Sequence, residues 1–156
     1  MHTRVQQGSV LIILVAAVVA LAALSAFALP SVRGDSNKAK LSEALQATSE
    51  CRLRVAQAYF SGVMPADPRW GCGRGDGRYV NDMATTADGA IHVRLQGTGD
   101  PALDQKVLTL VPYHDPATPK DPAVTTHWRS GIHKWVCSQG SPESVPFRLL
   151  PPDCKA

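Results

Sequence analysis

Residues 9–29 read SVLIILVAAVVALAALSAFAL, and the leader MHTRVQQG ends at Gly8 directly before them. The run holds no charged side chain across its 21 positions. As a helix rising about 1.5 Å per residue, it matches a hydrocarbon core of about 30 Å. The expectation is one membrane-spanning helix, with the rest of the chain following Pro30. A secretory signal peptide would have a shorter apolar region and a small-x-small cleavage site, which Ala26-Phe27-Ala28 only weakly imitates. A plain signal anchor would leave Met1 in place. A third reading makes Gly8 a processing site on the cytoplasmic side and leaves the apolar helix on the mature chain.

Gly8, Val10-Leu11-Ile12, Leu14 and Pro30 carry that third reading, with Pro30 at a characteristic distance from the glycine. On these residues the chain resembles the type IV pilin family, whose members have a short leader ending in Gly and an apolar helix interrupted by Pro. The likeness continues through Ala39-Lys40-Leu41-Ser42-Glu43-Ala44-Leu45. It returns in Trp135-Val136-Cys137 and in Leu149-Leu150-Pro151-Pro152-Asp153-Cys154.

The resemblance implies cleavage after Gly8 by a prepilin peptidase and N-methylation of the new terminus at Ser9. It implies residence in the bacterial inner membrane as a single-pass protein with its domain in the periplasm. From there an assembly machinery with a cytoplasmic ATPase would move it into an extracellular pilus. The other partners implied are pilin subunits met through the N-terminal helix, with small residues such as Ala16, Ala20 and Ala23 letting helices approach.

Two positions depart from the family. Relatives usually begin the mature chain with Phe and carry Glu five residues after the glycine, where this chain has Ser9 and Ile13. A carboxylate among packed apolar helices is costly unless paired, and in the family it is thought to meet a neighbour's amino terminus. With Ile13 the chain has no such group, so the resemblance implies a minor or tip-located subunit rather than the bulk one.

The remaining residues suffice for one domain with a single core. Once Arg4 leaves with the leader, 15 Lys and Arg face 13 Asp and Glu. That balance is too mild to demand nucleic acid or an anionic membrane. Leu41, Ala44, Leu45, Thr48, Cys51, Val55 and Ala58 recur every three or four residues, which predicts an amphipathic helix. Pro30 and Gly34 should kink and soften its beginning, and Ser61-Gly62 should end it. From Pro65 to Asp88 a long loop rich in turn formers is expected. Strands are predicted over Ala90–Gln96, Lys106–Tyr113 and His127–Cys137, with a Pro-rich loop from His114 to Asp121.

Cys51, Cys72, Cys137 and Cys154 lack the C-x-x-C spacing of zinc or redox sites, so disulfides are their natural use in an exported domain. Four cysteines allow three pairings, and spacing does not choose among them. The resemblance favours Cys137 with Cys154 as a C-terminal loop closure, leaving Cys51 for Cys72. The expected fold is α+β: a long N-terminal helix, membrane-spanning in its first half, packed on an antiparallel sheet of three to four strands, with a disulfide-closed C-terminal loop. Its divisions are a leader at 1–8, the assembly helix at 9–29, its amphipathic second half at 30–61 and a globular domain at 62–156.

Sites of chemistry are sparse. The glycine-rich Gly71–Gly77 lacks the Gly-Lys-Ser/Thr ending of a phosphate loop and suits tight turns. His92, His114, His127 and His133 show no metal-ligand spacing and read as surface residues. No Gly-x-Ser-x-Gly elbow occurs, and neither an enzyme nor a cofactor or metal is expected. Arg129, Lys134 and Arg148, interleaved with Trp128 and Trp135, form a modestly basic stretch able in principle to hold DNA phosphates and bases. Two further roles implied by the resemblance are therefore a DNA-binding competence pilin and a type II secretion pseudopilin. Alternation along a strand would part Lys134 from Trp135, so nucleic acid is not the favoured partner.

Overall fold

The computed structural model describes residues 13–18, 36–138 and 143–154. The leader, Gly8, Ser9, most of the expected membrane helix, Pro30 and Gly34 lie outside the described residues. The chain divides into two units, residues 1–36 and 37–156. In the first, residues 13–18 are helical with exposed side chains. Among the described residues no helix is long and apolar enough to cross a membrane.

The second unit begins with helical residues 37–47, continued after Thr48 by helix α1, Ser49–Ser61. Asn37, Leu41, Ala44, Thr48, Cys51, Val55 and Tyr59 are its buried positions. Their spacing of three or four places them on one stripe, as the sequence predicts. The single expected helix nevertheless has a joint. The Thr48 hydroxyl donates to Leu45 O at 2.7 Å, and its N–H bonds the same carbonyl at 3.1 Å. This tightens one turn to a three-residue step, in the manner of short hydroxyl side chains that compete for helix carbonyls. Arg52 N–H then reaches Thr48 O at 2.9 Å, and the helix resumes without losing its buried stripe. Gly62 stops it at φ 73°, donating to Ala58 O and Tyr59 O. A Cβ there would stand 2.9 Å from Arg129 Cγ, so both conformation and space favour glycine.

The stripe shares one core with a four-stranded antiparallel sheet. Its strands are β1 (Val80–Thr85), β2 (Ile91–Leu95), β3 (Val107–Tyr113) and β4 (Lys134–Ser138), ordered β1-β2-β3-β4. Ile91, Val93 and Leu95 point inward from β2, and Leu108, Leu110 and Pro112 from β3. The register sets Val93 opposite Leu108, Ile91 opposite Leu110, and Leu110 opposite Cys137. Period-two burial of this kind is what a sheet covered on one face requires.

Two sequence expectations change. The stretch from Pro65 to Asp88 is not all loop, because it contains β1. That strand hides from pattern reading because its pairing register shifts between Val80 and Asp82, leaving Asn81 and Asp82 both exposed. The strand expected from His127 starts only at Lys134. Thr125–His127 is a 3-10 turn instead, and residues 114–133 form one long connection between β3 and β4.

The last turn of α1 is where these parts meet. Tyr59 is fully buried, with ring centroids 5.3 Å from Trp70 and 4.9 Å from Trp128. Its hydroxyl donates to Asp88 O at 2.8 Å in the β1–β2 turn, and its own carbonyl accepts Arg129 N–H at 2.7 Å. Gly89 packs beside it at φ 79°, where a Cβ would approach Val55 Cγ1 to 2.8 Å. Burial, followed by Asp88 and Asp121, raises the Tyr59 pKa, so the phenol stays a donor.

Tyr59→Ala should lower stability by about 3–5 kcal/mol, through lost area and the cavity left behind. Tyr59→Phe should cost only about 1 kcal/mol, the order of one hydrogen bond. Urea midpoints of the two variants measure both effects, and equal losses would contradict this ranking.

Candidate functional site

Helix α1 is amphipathic only in part. Its inward side carries Cys51, Val55 and Tyr59, whereas Leu53 and Phe60 stand on the outer side at 58% and 70% exposure. Val63 and Met64 follow the helix end and are exposed as well. Large apolar side chains left exposed on a surface are candidates for contact with another surface that can dry them. The neighbouring Glu50–Arg54 ion pair, 2.7 Å apart, puts a polar border along the same helix.

The cysteines are joined as Cys51–Cys72 and Cys137–Cys154. The first fastens the connection after α1 to the helix, and beside it Trp70 donates from its indole to Thr86 O at 3.0 Å. The second fastens the end of the chain to β4. Leu45, Arg52, Leu110 and Trp135 line a groove of about 330 Å³ together with that second disulfide. Arg52 Nε is buried there and has no hydrogen-bond partner among the described residues.

The basic residues singled out in the sequence sit in three settings. Arg129 adopts φ 58° and packs its side chain against Gly62 at the end of α1. Lys134 opens β4 and places its ammonium 5.5 Å from the Tyr113 ring centre. Arg148 is exposed in the 3-10 turn Phe147–Leu149. The accompanying tryptophans both pack against the core, Trp128 with its indole donating to Pro122 O at 2.8 Å. Gly8 and Ser9 lie outside the described residues.

His133 is exposed as expected, whereas the other three histidines singled out in the sequence depart from a surface role. His127 is only 6% exposed, and His92 and His114 are half-buried. His92 Nδ1 lies 2.8 Å from the Thr109 hydroxyl. His114 and His127 stack with centroids 4.3 Å apart beside Lys120, which is 2% exposed. Pattern reading missed Lys120, because a lone lysine in a Pro-rich loop is ordinarily solvated. The usable signal was the length of that loop, since a connection of this size inside a compact domain needs an anchor of its own. Among the described residues no group of His, Cys, Asp and Glu side chains is arranged to hold a metal ion.

Among known families, the model of the pilin family, a bacterial filament family, matches residues 37–155. None of the curated proteins compared with the chain matches it. The matched region takes in the helical stripe, all four strands and both disulfides.

The Cys51–Cys72 bridge spans a sequence separation of 21 residues. On the chain-entropy account a loop of that size is worth about 3 kcal/mol. Replacing both cysteines by serine should therefore lower the urea midpoint by an amount of that order. An unchanged midpoint would show that the helix and its following loop hold together without the bridge.

Proposed function

The chain belongs to the pilin family, and on that premise we propose that it is a minor or tip-located subunit of a type IV pilus, cleaved after Gly8 and assembled through its apolar N-terminal helix. Membership in the family makes it a structural subunit that assembles with other pilin subunits. The finer reading rests on one observation above all: Ile13 stands where a buried carboxylate would pair with a neighbour's terminus. Each repeat of a filament must satisfy that terminus, and a subunit without the carboxylate supports it less well. Incorporation in few copies, or at an end where only one neighbour is met, avoids repeating the defect.

The same reading assigns residues 9–29 two successive environments. Before assembly they lie in the inner membrane, where the absence of charge makes insertion favourable. In the filament they pack against equivalent helices, with Ala16, Ala20 and Ala23 permitting close approach. Ser9 is then the N-methylated terminus, a prepilin peptidase the processing enzyme and a cytoplasmic ATPase the motor of assembly. Adhesion or motility would be served by the extracellular part, and the outer apolar side of α1 supports contact with another subunit.

Mass spectrometry of the mature terminus, in cells with and without prepilin peptidase, tests the assignment. A chain beginning at Ser9 only when the peptidase is present is the expected result, whereas a chain starting at Met1 or cut after Ala28 would sink it. Ile13→Glu should raise the amount of this subunit in sheared pili relative to the parent chain. If loss of the gene product blocks protein export yet leaves surface pili intact, the type II pseudopilus takes the place of the pilus.

A further inference from the structure

The connection over residues 114–133 is held down by a buried charge. Lys120 Nζ donates to His127 O at 2.7 Å, to Ser130 Oγ at 2.7 Å and to Ser130 O at 3.1 Å, and it lies 4.9 Å from the Tyr59 ring centre. None of these acceptors is a carboxylate. Three close acceptors call for three N–H donors, which the ammonium has and the neutral amine lacks. Ser130 Oγ passes the contact on by donating to His127 O at 2.9 Å.

The two stacked imidazoles complete the arrangement only when neutral. His127 Nδ1 accepts Asp121 N–H at 2.9 Å, which leaves the ring proton on Nε2. His114 Nδ1 faces Lys120 Nζ at 3.5 Å and Ser130 Oγ at 3.3 Å. A proton added at His127 Nδ1 would face the Asp121 N–H, donor against donor, and one at His114 Nδ1 would set a second cation beside the Lys120 ammonium. We propose that residues 114–133 form an acid-released strap, in which neutral His127, stacked on His114, allows a buried ammonium to pin the β3–β4 connection onto Tyr59, and in which protonation of His127 lifts it.

The surrounding charges leave this balance in place. Burial lowers the His127 pKa first, with His114 and Lys120 adding to it, while Asp121 and Asp115 pull the other way. The Asp115 carboxylate is committed to Ala117 and Thr118 N–H groups, each at 2.8 Å. From α1 the strap meets Tyr59, a phenol that stays protonated, and from the β1–β2 turn Asp88 reaches Tyr59 through its carbonyl. A depressed histidine favours the folded state fully above its ordinary value of 6.5 and loses that contribution as pH falls toward the folded value. Burial also lowers the Lys120 pKa from its ordinary 10.5, a desolvation cost that its three oxygen acceptors offset. The strap should therefore loosen as pH falls below the ordinary histidine value of 6.5 toward the lowered value of His127.

Hydrogen exchange on the full chain in detergent, corrected for the intrinsic pH dependence of exchange, reads the strap directly. The amides of Lys120, Asp121 and His127 should lose protection by at least about tenfold between about pH 7.5 and about pH 5, while those of β2 change by less than about twofold. In a His114→Gln, His127→Gln double variant the neutral amides cannot be charged, and the acid response should vanish. Equal strap protection at both pH values in the parent chain, or a full response in the double variant, overturns the proposal. Nitrogen NMR of the imidazoles gives a reading that does not depend on the variant folding. At about pH 7.5 His127 should carry its proton on Nε2, and a proton on Nδ1 there would equally refute the strap.

Discussion

Tyr59 is the constraint on which the domain turns. It closes the last turn of the helix, and three pieces of irregular chain come to it: the first disulfide loop through Trp70, the β1–β2 turn through Asp88, and the long connection through Trp128, Arg129 and Lys120. A domain of this size with this much loop cannot bury enough apolar surface in every segment. Aromatic rings that also offer a hydrogen-bonding tip let a few residues do that work, because each covers a large area and fixes a direction at once.

The loops of the domain are fastened in two different ways. Cys51–Cys72 and Cys137–Cys154 are covalent, and they are suited to an oxidising compartment where no reductant opens them. The β3–β4 connection has no cysteine, and its anchor is an ammonium surrounded by carbonyl and hydroxyl oxygens. A buried cation without an opposite charge is expensive, and it persists here because each donor finds an acceptor and the Tyr59 ring face lies beneath it. The covalent fastenings do not respond to acidity within the ordinary range, whereas the ammonium depends on its neighbours staying uncharged.

How much of this was legible in the sequence follows from the range of each interaction. The helical stripe from Leu41 to Val55 was readable, because burial on one helix face imposes a local period, and so were β2 and β3 with their alternating Ile91, Val93, Leu95 and Leu108, Leu110. The joint at Thr48 was not, since it lies within a continuous stripe and changes only which carbonyl is used. β1 was concealed by a bulge that exposes Asn81 and Asp82 together at a sheet edge. The disulfide pairing came from family resemblance and not from spacing, which leaves three choices. His114, His127 and Lys120 form a site only through folding: nothing in their spacing says that two rings stack or that a lysine is dry.

This contrast bears on the subunit's place in a filament. On the proposed reading, Ile13 takes a charge out of the assembly helix, and Lys120 puts one into the domain's interior, so the chain reverses the usual division between apolar core and charged contact twice. On that reading, removing the first charge weakens a contact that recurs along a filament, whereas keeping the second makes the domain's own loop sensitive to its surroundings. A subunit repeated through the shaft would multiply both effects, since each copy would bring an unmatched terminus and an acid-sensitive loop. A subunit present once, or at an end, meets the first cost once and confines the second to the exposed tip, where a loop that changes with acidity leaves the packing of the rest of the filament untouched.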